Sequence, residues 1–177
     1  MKILDQNFDI FITSDEIHRR IVELSSCLNR DYANKNPIFL SVLNGAFMFT
    51  ADFLREVVIP SEVSFIKLKS YKKMESSGRV KELLGLENNI FDRHIIIVED
   101  IVDTGTTLLH MLNEFKELGA KSIEILTLLH KPKTNRSEVD LKYVGFEIPN
   151  EFVVGYGLDY DGYGRNLKDI FKINGQI

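Results

Sequence analysis

The chain predicts an α/β protein: a doubly wound parallel sheet flanked by helices, with a small β-rich hood formed by the two ends of the sequence. Three observations carry this. "HIIIVED" (94–100) and "KSIEILTLLH" (121–130) are apolar runs of strand length on either side of a helical stretch, the rhythm of parallel βαβ units with right-handed crossovers. "PIFLSVL" (37–43) is a third run of this kind, also followed by helical spacing. From residue 143 onward the helices stop, and "YVGFEIP", "FVVGYGLDY" and "DIFKING" read as short strand pieces. These pieces are placed to pair with the N-terminal "FDIFIT".

The remaining elements follow in chain order. Thr13 and Glu16 have the spacing of a capping box, and Ile17, Ile21, Leu24 and Leu28 continue from it as a helical stripe. Asn44–Gly45 ends the 37–43 strand, and "AFMFTADFLREV" resumes helical periodicity. "EVSFIKLKSY" (62–71) alternates as a strand, and the polar stretch after it reads as a long loop of the lid or binding-loop kind. Residues 106–118 form a helix that closes at Gly119. The organisation expected is a single domain over 1–177, with a core of roughly 13–155 and a hood of roughly 1–12 plus 156–177.

Bulk properties exclude several function classes. Hydrophobic residues make up 44% and charged residues 27% of the chain, ordinary values for a globular domain with a real core. A net charge of −4 gives no global basic field for nucleic acid or anionic membrane, so neither is expected as a partner. No apolar run approaches the ~20 residues of a membrane span, and the acidic start "MKILDQNFDIF" lacks the apolar region of a secretory leader. The single cysteine, Cys27, has no internal partner, which fits a reducing cytoplasm. The four histidines have no metal-ligand spacing with each other or with the cysteine and read as structural or surface residues.

The chemistry concentrates in "VEDIVDTGTT" (98–107), at the carboxyl end of a strand, where doubly wound sheets bind ligands. Thr104, Gly105, Thr106 and Thr107 put backbone amides and three hydroxyls at a helix N-terminus, the geometry of a phosphate site. Neither a Walker A loop nor a G-x-G-x-x-G fingerprint is present. Glu99 and Asp100 can accept hydrogen bonds from vicinal hydroxyls, as on a ribose, and they favour a bound divalent cation, Mg²⁺. A phosphate nearby then asks for a sugar 5-phosphate. Asp103 stands apart from the pair, close to where the anomeric carbon of that sugar would lie, and can take a proton from an incoming nitrogen nucleophile.

These residues resemble the ribose-phosphate motif of the type I phosphoribosyltransferases, most closely that of the hypoxanthine–guanine branch, and the resemblance extends along most of the chain. It implies transfer of ribose 5-phosphate from 5-phospho-α-D-ribose 1-diphosphate to a 6-oxopurine, with Mg²⁺ as cofactor and a homodimer or homotetramer as the assembly. "SVLNGAFMF" is similar to the family's pyrophosphate loop, which implies a cis peptide at Leu43–Asn44 and diphosphate contacts from Leu43, Asn44 and Gly45; position 44 is basic in many relatives. Ser70–Tyr71 resembles the start of the mobile catalytic loop. "LLHKPKT" implies that Lys131 contacts the purine 6-oxo group. "EFVVGYGLDYDGYGRNL" implies Phe152 on the purine face with Ile101 and Leu158 nearby, and Val153 backbone at the Watson–Crick edge. The same segment implies Asp159 at a second Mg²⁺, with Glu99 and Asp100 at the first, and Arg165 at the leaving group. Two rival readings stay open: a nucleotide-sensing regulatory relative that binds RNA or DNA, and a phosphoribosyltransferase that prefers another base, such as xanthine.

Overall fold

The computed structural model describes residues 1–68, 83–84, 89–135 and 139–174. Two sheets organise them. The larger comprises β3 (Ile38–Leu43), β4 (Glu62–Leu68), β5 (Leu83–Leu84), β6 (His94–Val102), β7 (Ser122–His130) and β8 (Tyr143–Glu147), in the spatial order β5-β4-β3-β6-β7-β8. Its five longer strands run parallel, and β5 pairs antiparallel on β4. The smaller, antiparallel sheet has the order β1-β2-β10-β9, built from β1 (Lys2–Ile3), β2 (Gln6–Ile12), β9 (Val153–Val154) and β10 (Ile170–Ile173). The expected pairing of the two ends is therefore present, and Val153–Val154 also joins the hood sheet.

Period-two alternation divides the large sheet into two apolar faces. Phe39, Ile96, Val98, Leu126 and Leu128 point to one side, where α1 (Ser14–Asp31) lays down Ile17, Ile21, Leu24 and Leu28 and α2 (Phe47–Arg55) adds Phe49 and Phe53. Ile38, Leu40, Ile95, Ile97 and Ile125 point to the other, against Leu108, Met111 and Phe115 of α3 (Thr106–Glu117). Central strands buried on both faces account for the unbroken apolar runs in the sequence. Each such side chain contributes about 1.5–3 kcal/mol by leaving water.

The helix ends are built as the local sequence prescribes. The Glu16 amide donates to Thr13 Oγ1 (3.3 Å), and the Thr13 amide donates back to Glu16 Oε2 (2.9 Å), a complete capping box. At the end of α3, the Ala120 amide reaches Phe115 O and the Gly119 amide reaches Lys116 O, which is a Schellman motif. Arg20 of α1 donates to the carbonyls of Val144 and Gly145 (both 2.8 Å), so a cation covers the outer edge of β8.

Candidate active site

The strand end that carries the acids lies at the centre of the sheet. Strand β6 continues two residues past Asp100, because its partner β7 runs on in register, with Ile101 opposite Leu129 and Val102 opposite His130. The Lys131 amide then donates to Val102 O (2.9 Å) and ties the two strand ends together. Glu99 is buried and Asp100 partly exposed. Burial, reinforced by the neighbouring Asp100, holds the Glu99 carboxyl well above the ordinary carboxylate range. Burial also raises Asp100, against the opposing pull of its own backbone hydrogen bonds and of Arg165.

Beyond the acids the chain turns through Asp103 and Thr104 into α3. Gly105, the N-cap, sits at φ 74, a left-handed conformation in which a Cβ would be strained, and it offers no side-chain cap to the helix. Thr104 and Thr106 face each other, with their hydroxyls 3.2 Å apart. A cavity of about 190 Å³ opens here, lined by Glu99, Asp100, Asp103, Thr104, Gly105 and Thr107 together with the apolar Ile101, Val102 and Leu108. Helix amides, hydroxyls and a positive dipole end around a small polar cavity suit a phosphate attached to a polyol.

A second cavity, of about 320 Å³, adjoins the first and shares Asp100, Ile101 and Asp103 with it. Its other walls are Lys131, Phe152, Val153, Leu158 and Asp159, so every purine-side residue of the family resemblance is gathered around one space. Lys131 is only 8% exposed, and its Nζ lies 3.6 Å from Asp103 Oδ2. Phe152 packs edge-on against Tyr160, with ring centroids 5.7 Å apart, and remains 39% exposed. The apolar residues Ile101, Phe152, Val153 and Leu158 beside a buried lysine, with Asp100, Asp103 and Asp159 completing the lining, suit a flat heteroaromatic ring that carries an acceptor.

The third part comes from the loop after β3. The Leu43–Asn44 peptide is cis. Gly45 packs directly on Asp100: a Cβ there would lie 1.5 Å from Asp100 Oδ2. Gly157 packs in turn on Gly45, with its own Cβ position 2.0 Å from Gly45 O, at a φ of 100 that favours glycine. Arg165 donates to Gly157 O (2.7 Å) and pairs with Asp159 Oδ1 (2.6 Å), while Asp159 Oδ2 accepts from the Gly162 amide (2.7 Å). The loop at 43–45, the acid pair and the Arg165–Asp159 pair therefore meet around Asp100. Ser70 and Tyr71, expected to open a lid, lie outside the described residues.

A divalent cation fits the donor set at the end of β6. Two adjacent carboxyl groups with raised proton affinity are suited to binding one. Among the described residues no group of three or more His, Cys, Asp or Glu forms a protein cage. That combination fits Mg²⁺, which commonly binds one or two carboxylates and completes its shell with water and substrate oxygens. No helix among the described residues is long and apolar enough to cross a membrane.

Sequence reasoning missed the contacts between distant segments: Gly45 on Asp100, Gly157 on Gly45, and Lys131 beside Asp103. Their only advance signal was small residues at turns, "NG" and "GYG".

Comparison with known proteins agrees with this geometry. Residues 13–161 match the phosphoribosyl transferase domain. The hypoxanthine-guanine phosphoribosyltransferase of Streptococcus thermophilus is 41% identical over 169 residues, covering 95% of this chain and 94% of that protein. The Trypanosoma cruzi hypoxanthine phosphoribosyl transferase, in a structure concerned with its oligomeric state and activity, superposes with a TM-score of 0.87 at 36% identity, covering 98% and 95% of the two chains. A hypoxanthine-guanine phosphoribosyltransferase from Bacillus anthracis gives 0.84 at 31%, covering 96% and 99%. The matched domain and the identity to these relatives show that the chain belongs to the phosphoribosyltransferases.

Proposed function

We propose that the protein is a purine-salvage enzyme that transfers the 5-phosphoribosyl group from 5-phospho-α-D-ribose 1-diphosphate to hypoxanthine or guanine, yielding IMP or GMP and pyrophosphate. The observation that carries this reading is the pair of adjoining cavities that meet at Asp103, one lined for a sugar phosphate and the other for a flat base.

In this reading residues 104–107 bind the 5-phosphate, and Glu99 and Asp100 orient the ribose hydroxyls. The base lies against Phe152, with Ile101 and Leu158 beside it, Val153 backbone at its hydrogen-bonding edge and Lys131 at the 6-oxo group. Asp103, at the junction, accepts the N7 proton as N9 bonds to the anomeric carbon. The Leu43–Gly45 loop and Arg165 hold the departing diphosphate, and positive charge there stabilises the leaving oxygens. Glu99 and Asp100, and Asp159, would hold Mg²⁺, which would supply neutralisation of phosphate charge. Ser70 and Tyr71 begin the segment that shields the reacting centre from water.

The enzyme acts in the cytoplasm as a homodimer or homotetramer. Support for association comes from Phe47, Val63 and Phe65, large apolar side chains left 41–46% exposed around α2 and β4.

The test is direct. Purified protein is incubated with the diphosphate sugar, Mg²⁺ and each of hypoxanthine, guanine, xanthine and adenine, and nucleotides are resolved by chromatography. IMP and GMP are the expected products. Formation of no nucleotide overturns the reading, and formation of only the xanthine or adenine nucleotide overturns the choice of base.

A further inference from the structure

The turn at 155–158 has a structural link that the reaction scheme does not use. Gly155, Tyr156 and Gly157 stand at φ 103, 50 and 100, three successive left-handed residues that wind the chain tightly and turn the Tyr156 side chain inward. Tyr156 is 4% exposed and packs in the main core. Its hydroxyl donates to Asp52 Oδ2 at 2.6 Å. Burial and the Asp52 carboxylate push this phenol far above its ordinary range, so it remains the donor throughout neutral pH.

Asp52 belongs to α2, the helix that leaves the Leu43–Gly45 loop. That helix is pinned to β3 by a buried bond of 2.7 Å between Thr50 Oγ1 and Ser41 Oγ. On the other side of Tyr156, Gly157 rests on the Gly45 carbonyl, accepts from the Arg165 guanidinium, and donates its amide to Arg165 O (2.9 Å). The two halves of the proposed diphosphate site, loop and arginine, are thus carried by two segments that Tyr156 and Asp52 join.

We propose that Tyr156 and Asp52 are a positioning pair that sets the distance between the 43–45 loop and Arg165, and so the affinity for the diphosphate group. The inference rests on the diphosphate assignment made above. A charge-assisted hydrogen bond between a packed ring and a helix is suited to the task, since it has one geometry and neither end can drift far.

The experiment measures binding of Mg²⁺-pyrophosphate and of IMP to the full chain by calorimetry. Tyr156→Phe keeps the ring and its packing. It is expected to weaken pyrophosphate by about fivefold to twentyfold, the scale of coupled contacts, with IMP affinity changed less than about twofold. Asp52→Ala should match it, and the double variant should be no worse than either alone. Asp52→Asn retains an acceptor and should restore pyrophosphate affinity to near the wild-type value. Asp52 is half-exposed, so its variants test the pair even if Tyr156→Phe fails to fold. Unchanged pyrophosphate binding in Tyr156→Phe and Asp52→Ala, with normal binding by the wild type, overturns this inference alone. Equal losses for pyrophosphate and IMP also overturn it, because they mean general loosening. A wild-type protein that binds no pyrophosphate overturns the diphosphate assignment, and this inference with it.

Discussion

Replacing Gly45 by alanine tests the site most sharply, because the structure sets the size of the disturbance. The new Cβ would fall 1.5 Å from Asp100 Oδ2 and 2.4 Å from Asp100 Cγ, whereas real Cβ atoms keep at least about 3.0 Å from their neighbours. Either the loop or the acid must therefore yield by about 1.5 Å. The loop cannot back away easily, since the Gly45 carbonyl is already in contact with Gly157. Asp100 can rotate, but its Oδ1 then gives up the Ile101 amide at 2.8 Å, and the carboxylate leaves the ribose hydroxyls it is proposed to orient. Misplacing a positioning group by about 1 Å costs on the order of 10²-fold in rate, or about 2.7 kcal/mol of transition-state stabilisation. Gly45→Ala is accordingly expected to lower kcat/KM for the diphosphate sugar by at least about 10²-fold, with a much smaller effect on the KM for hypoxanthine. Steady-state formation of IMP at varied diphosphate sugar is the assay, with a thermal melt to establish that the variant is folded. A folded variant with kcat/KM within about threefold of wild type would refute the packing of the loop against Asp100 as a determinant of catalysis.

Other expectations follow from the same geometry. Asp103→Asn should reduce kcat by about 10²–10⁴, the usual worth of a general base, while diphosphate sugar still binds; steady-state kinetics and calorimetry separate the two, and near-normal turnover removes Asp103 from that role. Lys131→Ala should raise the KM for hypoxanthine and guanine by roughly tenfold to a hundredfold, the scale of a charged hydrogen bond, without creating adenine activity; an unchanged KM assigns the 6-oxo contact to another group. Glu99, whose carboxyl burial and Asp100 push upward, keeps in the folded state a proton that the unfolded chain releases. Its contribution to stability is complete below the ordinary glutamate value of 4.5 and declines as pH rises toward the folded-state value. Calorimetric Tm of the Mg²⁺-free protein should therefore fall less steeply with pH in Glu99→Gln, which should also be the more stable form at neutral pH. An identical slope in the two proteins contradicts the burial of that charge.

How much of this was legible in the sequence depends on how far apart the interacting residues lie. Thr13 and Glu16 are three positions apart, and their capping box forms as read, because both bonds are local. The unbroken apolar runs of β3 and β6 likewise read as buried strands, and both are buried on two faces. The end of β6 was not legible: it runs to Val102 because β7 offers partners as far as His130, a matter of register between residues 28 positions apart. The pairing of β2 with β10 was visible as a possibility in their similar patterns. The order β1-β2-β10-β9 was not, since backbone hydrogen bonds leave no trace in side-chain periodicity.

The same division runs through the site and separates its two chemistries. Residues 98–107 are contiguous, and a strand end, two acids, a turn and a helix start together suit a sugar phosphate. The base pocket has no such unit. Lys131 follows one strand, Phe152 precedes another, and Asp159 stands in a turn; each is unremarkable in its own neighbourhood, and they acquire meaning only around a shared cavity. Asp103 belongs to both groups. It lies in the contiguous motif, lines both cavities and sits 3.6 Å from Lys131, which explains its separation from Glu99 and Asp100. The acid pair points to what the strand end holds, while Asp103 must reach what the rest of the fold brings to it. In the proposed reaction a residue with that double placement stands where sugar and base meet, and this is the structural reason to assign the proton transfer there rather than to Glu99, which is buried, or to Asp100, which packs against Gly45.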